Sequence, residues 1–262
     1  MKKIVLILFA LLFSPDAFSK AELVVNYDFN DLSFGDISHG TEWTIQESGG
    51  VNDTPAARLR YADTDDSLHW SSLGLASYQS NEFWVEFDTK IDGTPSGGSK
   101  FVKFFGDWES SKNNMTFSLN YFLNQQVEVS YYGDAICAAR YMDDDKTDTC
   151  GANVIIPGNP ITINGTWGHW KLHVKRADPA ESNGEVQVWW NDVLMAHFTE
   201  MNSNPEEFSD PTPGFDSVQF GGYMHGTFDG NAWYLWIDNL TIYSGDMQDA
   251  ISPNSPTGLS VL

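Results

Sequence analysis

From Trp233 to Tyr243 the chain reads Trp-Tyr-Leu-Trp-Ile-Asp-Asn-Leu-Thr-Ile-Tyr, a run of aromatic and branched residues holding one acid, Asp238. Such residue types favour the pleated backbone of a strand. A bare carboxylate inside that run is costly unless it is paired or bound to a metal. Near the other end, Tyr27-Asp28-Phe29-Asn30-Asp31 offers three more oxygen-bearing side chains, and Trp43 follows.

The stretches between these ends read as strands and turns, with almost no helical period. Glu82 to Lys90 alternates, setting Phe83, Val85 and Phe87 on one face and Trp84, Glu86 and Asp88 on the other. Asp92 to Ser99 is a turn cluster rich in Gly, Pro and Ser. Strands are expected over 100–105, 115–122, 127–132, 170–175, 185–190 and 218–223. The Asn183-Gly184 pair predicts a tight hairpin between the fourth and fifth of these, because it suits positive φ. Many short strands at this spacing point to a β-sandwich or jelly roll.

Residues 1–19 read as an export signal, with Lys2 and Lys3 before an apolar core and a small-residue cleavage site at Ala17-Phe18-Ser19. Its apolar run is about half of a membrane span of roughly 20 residues, so no membrane insertion is expected after cleavage. Residues 20–245 form the expected jelly-roll domain, and 246–262, with Pro253 and Pro256, a flexible C-terminal tail. Cleavage after Ser19 would remove two lysines and one aspartate, turning the formal charge of −22 into −23. So negative a chain has no basic field to attract nucleic acid or an anionic membrane. The expected location is secreted, periplasmic or at the cell surface. There, Cys137 and Cys150 are expected to form a disulfide closing a fourteen-residue loop, contributing about 3 kcal/mol by loop entropy. That loop carries Asp143, Asp144, Asp145 and Asp148, without the order of a calcium-binding loop.

Asp28-Phe29 with Trp43, the pair Trp170–Lys175 and Gly184–Asp192, and Tyr234–Tyr243 together resemble the concanavalin A-like jelly-roll superfamily of laminarin-type glucanases, polysaccharide lyases and sugar-binding modules. The resemblance implies an all-β sandwich of two curved antiparallel sheets whose first and last strands meet. It also implies a structural calcium ion held by the last strand, here by Asp238 with Asp28, and a polysaccharide as partner.

The glycosidase branch of this superfamily needs two carboxylates flanking the glycosidic oxygen, about 5 Å apart in retaining enzymes. Alternate acids on one strand would supply that spacing. Glu86-Phe-Asp-Thr-Lys90 lacks the second glutamate, and Thr116 to Tyr121 carries no acid, which argues against this chemistry. The lyase branch needs a neutralised uronate carboxylate and a proton-handling side chain. Candidates are Arg58, Arg60, Lys103, His173, Tyr223 and His225, with Phe220-Gly-Gly-Tyr-Met-His225 resembling a motif of alginate lyases. Binding alone requires aromatic faces beside polar groups, and Trp84, Glu86, Tyr132, Gln187 and Trp189 are the candidates. The leading expectation is a secreted carbohydrate-binding protein. The alternatives are a lyase cleaving a uronate-containing glycan by β-elimination, and a non-catalytic surface or adhesive domain.

Overall fold

A computed structural model describes residues 21–61, 70–78, 80–93, 98–105, 116–121, 127–133, 137–140, 153–155, 164–178, 181, 183–201, 215–221, 224–225 and 232–245. The strands are β1 (Glu22–Tyr27), β2 (Ser38–His39), β3 (Trp43–Gln46), β4 (Ala56–Tyr61), β5 (Trp70–Gly74), β6 (Glu82–Asp92), β7 (Gly98–Phe105), β8 (Thr116–Tyr121) and β9 (Val127–Gly133). They continue with β10 (Cys137–Arg140), β11 (Asn153–Ile155), β12 (Gly168–Lys175), β13 (Gly184–Trp190), β14 (Val193–Met201), β15 (Ser217–Gly221), β16 (Met224–His225) and β17 (Trp233–Ser244). Two antiparallel sheets result, as the expected all-β jelly roll requires. The nine-stranded sheet runs β11-β14-β13-β12-β6-β17-β4-β3, with β1 also on β17. The eight-stranded sheet runs β10-β9-β8-β7-β15-β5-β2, with β16 also on β7.

The buried faces of both sheets form one core. Phe83, Val85, Phe87, Leu172, Val174, Val186 and Val188 come from the larger sheet, and Leu73, Val102, Phe104, Val218 and Phe220 from the smaller. Aromatic rings join the layers edge to face. Phe87 meets Phe220 at 5.9 Å between centroids, and Phe215 bridges Phe83 at 5.9 Å to Phe104 at 5.5 Å. Each such pair adds about 0.5–1.5 kcal/mol beyond the area it buries. The strict alternation of β6, buried at every second residue from Phe83 to Ile91, fixes its register, since a slip of one residue would expose five core side chains.

The termini of the domain do meet. β1 pairs with β17 from Glu22↔Ser244 to Tyr27↔Leu240. β17 keeps β6 along one edge, while its other edge carries β4 up to Ile237 and then β1 from Leu240. The exchange of partners falls at a bulge between Asp238 and Thr241, where Asn239 takes φ +49°.

The hairpin expected at Asn183-Gly184 differs in kind. β12 and β13 do pair, Trp170↔Trp190 to Lys175↔Glu185, but residues 176–183 form the connection. Asn183 works there through its side chain, its Oδ1 accepting the Asp178 N–H at 2.8 Å. The tight reversal lies one strand later, at Asn191-Asp192, with φ +47° and +65° between the paired Trp190 and Val193. Asn and Asp tolerate that left-handed geometry better than other non-glycine residues.

Candidate functional site

In the eight-stranded sheet Leu73, Val102, Phe104, Val218 and Phe220 face the core, so the residues between them face outward. Register then builds a line across the sheet. Gln219 pairs with Ser72 on one side and Lys103 on the other. Ser72 pairs with Ser38. Lys103 pairs with Ser118, Ser118 with Ser130, and Ser130 with Arg140. Gln219, Lys103 and Ser72 are half-buried. By backbone register, a chain of net charge −22 thus carries one line of paired positions holding two cationic residues, an amide, four hydroxyls and no acid.

Beyond a bulge between Lys100 and Val102, Lys100 pairs with Asn120, and Asn120 with Glu128. His225 pairs with Gly98, two residues from Lys100 and on the same face by alternation. Tyr132 also belongs to this face, two residues from Ser130 and paired with Thr116 and Ala138. Tyr223 lies outside the described residues.

The other three lyase candidates sit elsewhere. Arg58 and Arg60 on β4 and His173 on β12 belong to the nine-stranded sheet, on its outward face. A single reaction centre therefore does not collect all six. Arg60 pairs with Glu42 at 3.2 Å. His173 is buried, its Nε2 lies 2.7 Å from Glu82 Oε1, and its ring stacks on Trp84 at 4.2 Å. It is a structural histidine. Gln219 was missed because a lone Gln in a strand is unremarkable. The inward-outward-inward pattern of Val218-Gln219-Phe220 is the signal that marks it.

Four of the five sugar-binding candidates share that same outward face of the larger sheet. Trp84 and Trp189 stack at 5.9 Å, and Lys171 Nζ lies 5.1 Å and 5.9 Å from their ring centroids. Glu86 holds that lysine at 3.4 Å. Gln187 sits between Glu185 and His197, bonded to both. Farther along, His169 Nδ1 is 3.0 Å from Asp88 Oδ1. The hydrogen bond to Asp88, against an opposing desolvation, raises the imidazole above its ordinary value of 6.5.

Asp238 occupies the break in β17. Although on the outward side of the sheet, it is fully buried, because the turn Gly50–Thr54 lies over it. Its Oδ2 accepts the Val51 N–H at 2.9 Å and the Thr54 hydroxyl at 3.2 Å, and its Oδ1 accepts the Asn239 N–H at 2.8 Å. Burial pushes the carboxyl above its ordinary value against these bonds. A Cβ on Gly50 would stand 2.6 Å from the Thr54 carbonyl oxygen, 2.7 Å from Asp238 Oδ2 and 3.0 Å from the Pro55 carbonyl oxygen. Three oxygens converge here, and among the described residues no basic group pairs with the acid. A hard cation takes oxygens of this kind, six to eight of them at about 2.3–2.6 Å, and Asp238 with the carbonyls of Thr54 and Pro55 would supply three. Asp28 does not belong to it. Its carboxylate is exposed and turned into its own loop, accepting the Asn30 backbone N–H at 3.1 Å and side-chain N–H at 2.8 Å. Cys137 opens β10 opposite Gly133, while Cys150 lies outside the described residues.

No family model matches this sequence, and no curated protein does. Solved structures do. Alginate lyase Aly36B superposes with a TM-score of 0.57 at 14% identity, covering 86% of this chain and 97% of that one. A PL-14 alginate lyase from Aplysia kurodai gives 0.57 at 11% identity over 80% and 91%. An endo-β-1,4-glucuronan lyase from the fungus Trichoderma reesei gives 0.56 at 11% identity over 87% and 98%. At such identities what is shared is architecture, and on that ground the chain has the concanavalin A-like jelly-roll fold of these polysaccharide lyases.

Proposed function

We propose that the protein acts outside the cytoplasm on a uronate-containing polysaccharide, binding it along the outward face of the eight-stranded sheet and cleaving it by β-elimination. The observation that carries this reading is the acid-free line Gln219–Lys103–Ser118–Ser130–Arg140 in an otherwise strongly acidic chain. An extended polyanion would find there a local positive strip, while the net charge repels it elsewhere. The enzymes named above that share the fold act on alginate or glucuronan, which are polymers of this class.

The chemistry asks two things of such a face. A uronate carboxylate has to be neutralised, so that the neighbouring C–H proton becomes acidic. Lys103 and Gln219 are paired directly across two strands, which lets an ammonium and an amide meet one carboxylate. A second group has to take the proton and return one to the departing oxygen. We assign this to His225, whose backbone pairs with Gly98, two residues along β7 from Lys100, so that Lys100 rather than Lys103 would neutralise the carboxylate beside it. In balance, the C–H electrons form a C=C bond as the glycosidic C–O bond breaks, and the proton ends on the released hydroxyl.

The test is incubation with alginate and with glucuronan, following the near-ultraviolet absorbance of the unsaturated product. A rise in the wild-type protein, lost in both Lys100→Ala and His225→Ala, is the expected result. Retention of the polymer with no rise from any uronate substrate would reduce the protein to a binding module.

A further inference from the structure

On the outward face of the nine-stranded sheet, three cations are paired with acids and one is not. Arg60 is held by Glu42 at 3.2 Å, Lys90 by Asp92 at 3.4 Å and Lys171 by Glu86 at 3.4 Å. Arg58, on β4 beside the edge strand β3, has no acid within pairing distance among the described residues. Its guanidinium lies 4.7 Å from the centroid of Tyr234 and 5.4 Å from that of Trp236. Its Nε is buried without a hydrogen-bond partner, and among the described residues no acceptor is bonded to its terminal nitrogens. Trp236 is only 8% exposed, a floor beneath the cation, whereas Tyr234 is half-buried. Cation–π contact orients the guanidinium but leaves its hydrogen-bonding edge unused.

We infer that Arg58, clamped between Tyr234 and Trp236, is a carboxylate-binding subsite for an acidic polysaccharide, on the sheet opposite the proposed reaction face. A planar donor fork with no internal acid is shaped for a carboxylate, and the adjacent Tyr234 ring offers the flat apolar surface on which a sugar ring rests. The same face bears a second platform, the stacked Trp84 and Trp189 with Lys171 over them. Trp236 pairs with Lys90, six residues along β6 from Trp84, so the two platforms stand about 20 Å apart along the strand. That separation fits a polymer rather than a single sugar. The role is retention of the polymer, without bond cleavage. The inference shares with the proposed function only the assumption of a uronate-bearing ligand.

The experiment is affinity electrophoresis in gels containing alginate or neutral laminarin, using wild type, Arg58→Gln, Arg58→Lys and Lys103→Gln. Arg58→Gln is expected to weaken retention by alginate about tenfold, as loss of a charge-assisted hydrogen bond implies, and to leave turnover of short oligouronates unchanged. Arg58→Lys, which keeps the charge and the packing stem, should retain an intermediate affinity, and laminarin should retard no variant differently. Wild-type retention by Arg58→Gln overturns the inference, as does a wild type that alginate does not retard. If Lys103→Gln changes neither turnover nor retention while Arg58→Gln weakens retention, the proposed reaction face falls and this subsite stands.

Discussion

Asp238 and Val51, 187 residues apart, are joined by a hydrogen bond of 2.9 Å from the Val51 amide to the Asp238 carboxylate. The bond ties the turn after β3 to the point where β17 exchanges β4 for β1. A bulge leaves backbone groups without ladder partners, and here the Asp238 carboxylate accepts the Asn239 amide at the bulge and the Val51 amide of the covering turn. Asp238→Ala should cost about 3 kcal/mol, because bonds to a charged acceptor are lost and amide donors stay buried. Equilibrium urea unfolding measures it. A loss below about 0.5 kcal/mol, the range of inert surface changes, would mean that the turn does not depend on the carboxylate.

The oxygens of Asp238, Thr54 and Pro55 that gather at Gly50 lead to an expectation about metal. With calcium about 100-fold above its dissociation constant, stabilisation is roughly 2.7 kcal/mol. For a domain of this size that corresponds to a melting temperature about 5–10 °C higher. Excess chelator should remove this increment from the wild type and change nothing in Asp238→Ala, as followed by differential scanning calorimetry. Identical melting with and without chelator would leave Asp238 a hydrogen-bonding acid alone.

His169 makes stability depend on pH. Its partner Asp88 raises its folded-state pKa above the ordinary 6.5. The stabilisation is therefore fully present below about pH 6.5 and is lost as pH rises through the folded value. His169 is partly exposed, with a side chain 37% accessible, so solvent screens the pair and the effect is small. His169→Gln should flatten the melting-temperature profile above pH 6.5 relative to wild type. Parallel profiles for the two proteins would rule the pair out as a source of pH dependence.

Alternation made the strands legible. Phe83, Val85 and Phe87 are buried and Trp84, Glu86 and Asp88 face outward, as the period of two requires. The meeting of the chain ends was legible too, through the resemblance carried by Tyr27–Asp31 and Trp233–Tyr243. Which strands share a sheet was not, because pairing partners lie far apart in sequence. Arg58 and Lys103 therefore looked like members of one constellation, though they belong to opposite faces of the sandwich. The pattern Val218-Gln219-Phe220 puts Gln219 outward, but its place beside Lys103 came only from register. Asn183-Gly184 carried the composition of a tight turn, but Asp178 captures the asparagine side chain and the chain takes a longer path.

β17 is the last of the described strands in sequence, yet it stands in the interior of its sheet, with β6 on one side and β4 and β1 on the other. While the polypeptide is being synthesised, the larger layer consequently lacks its keystone until Trp233–Ser244 has emerged. Partners separated by about 200 positions must then find one another, which makes folding slow by topology. Loss of the segment after Ala232 would leave two half-sheets with open edges rather than a slightly smaller sandwich, and exposed edges of that kind invite aggregation.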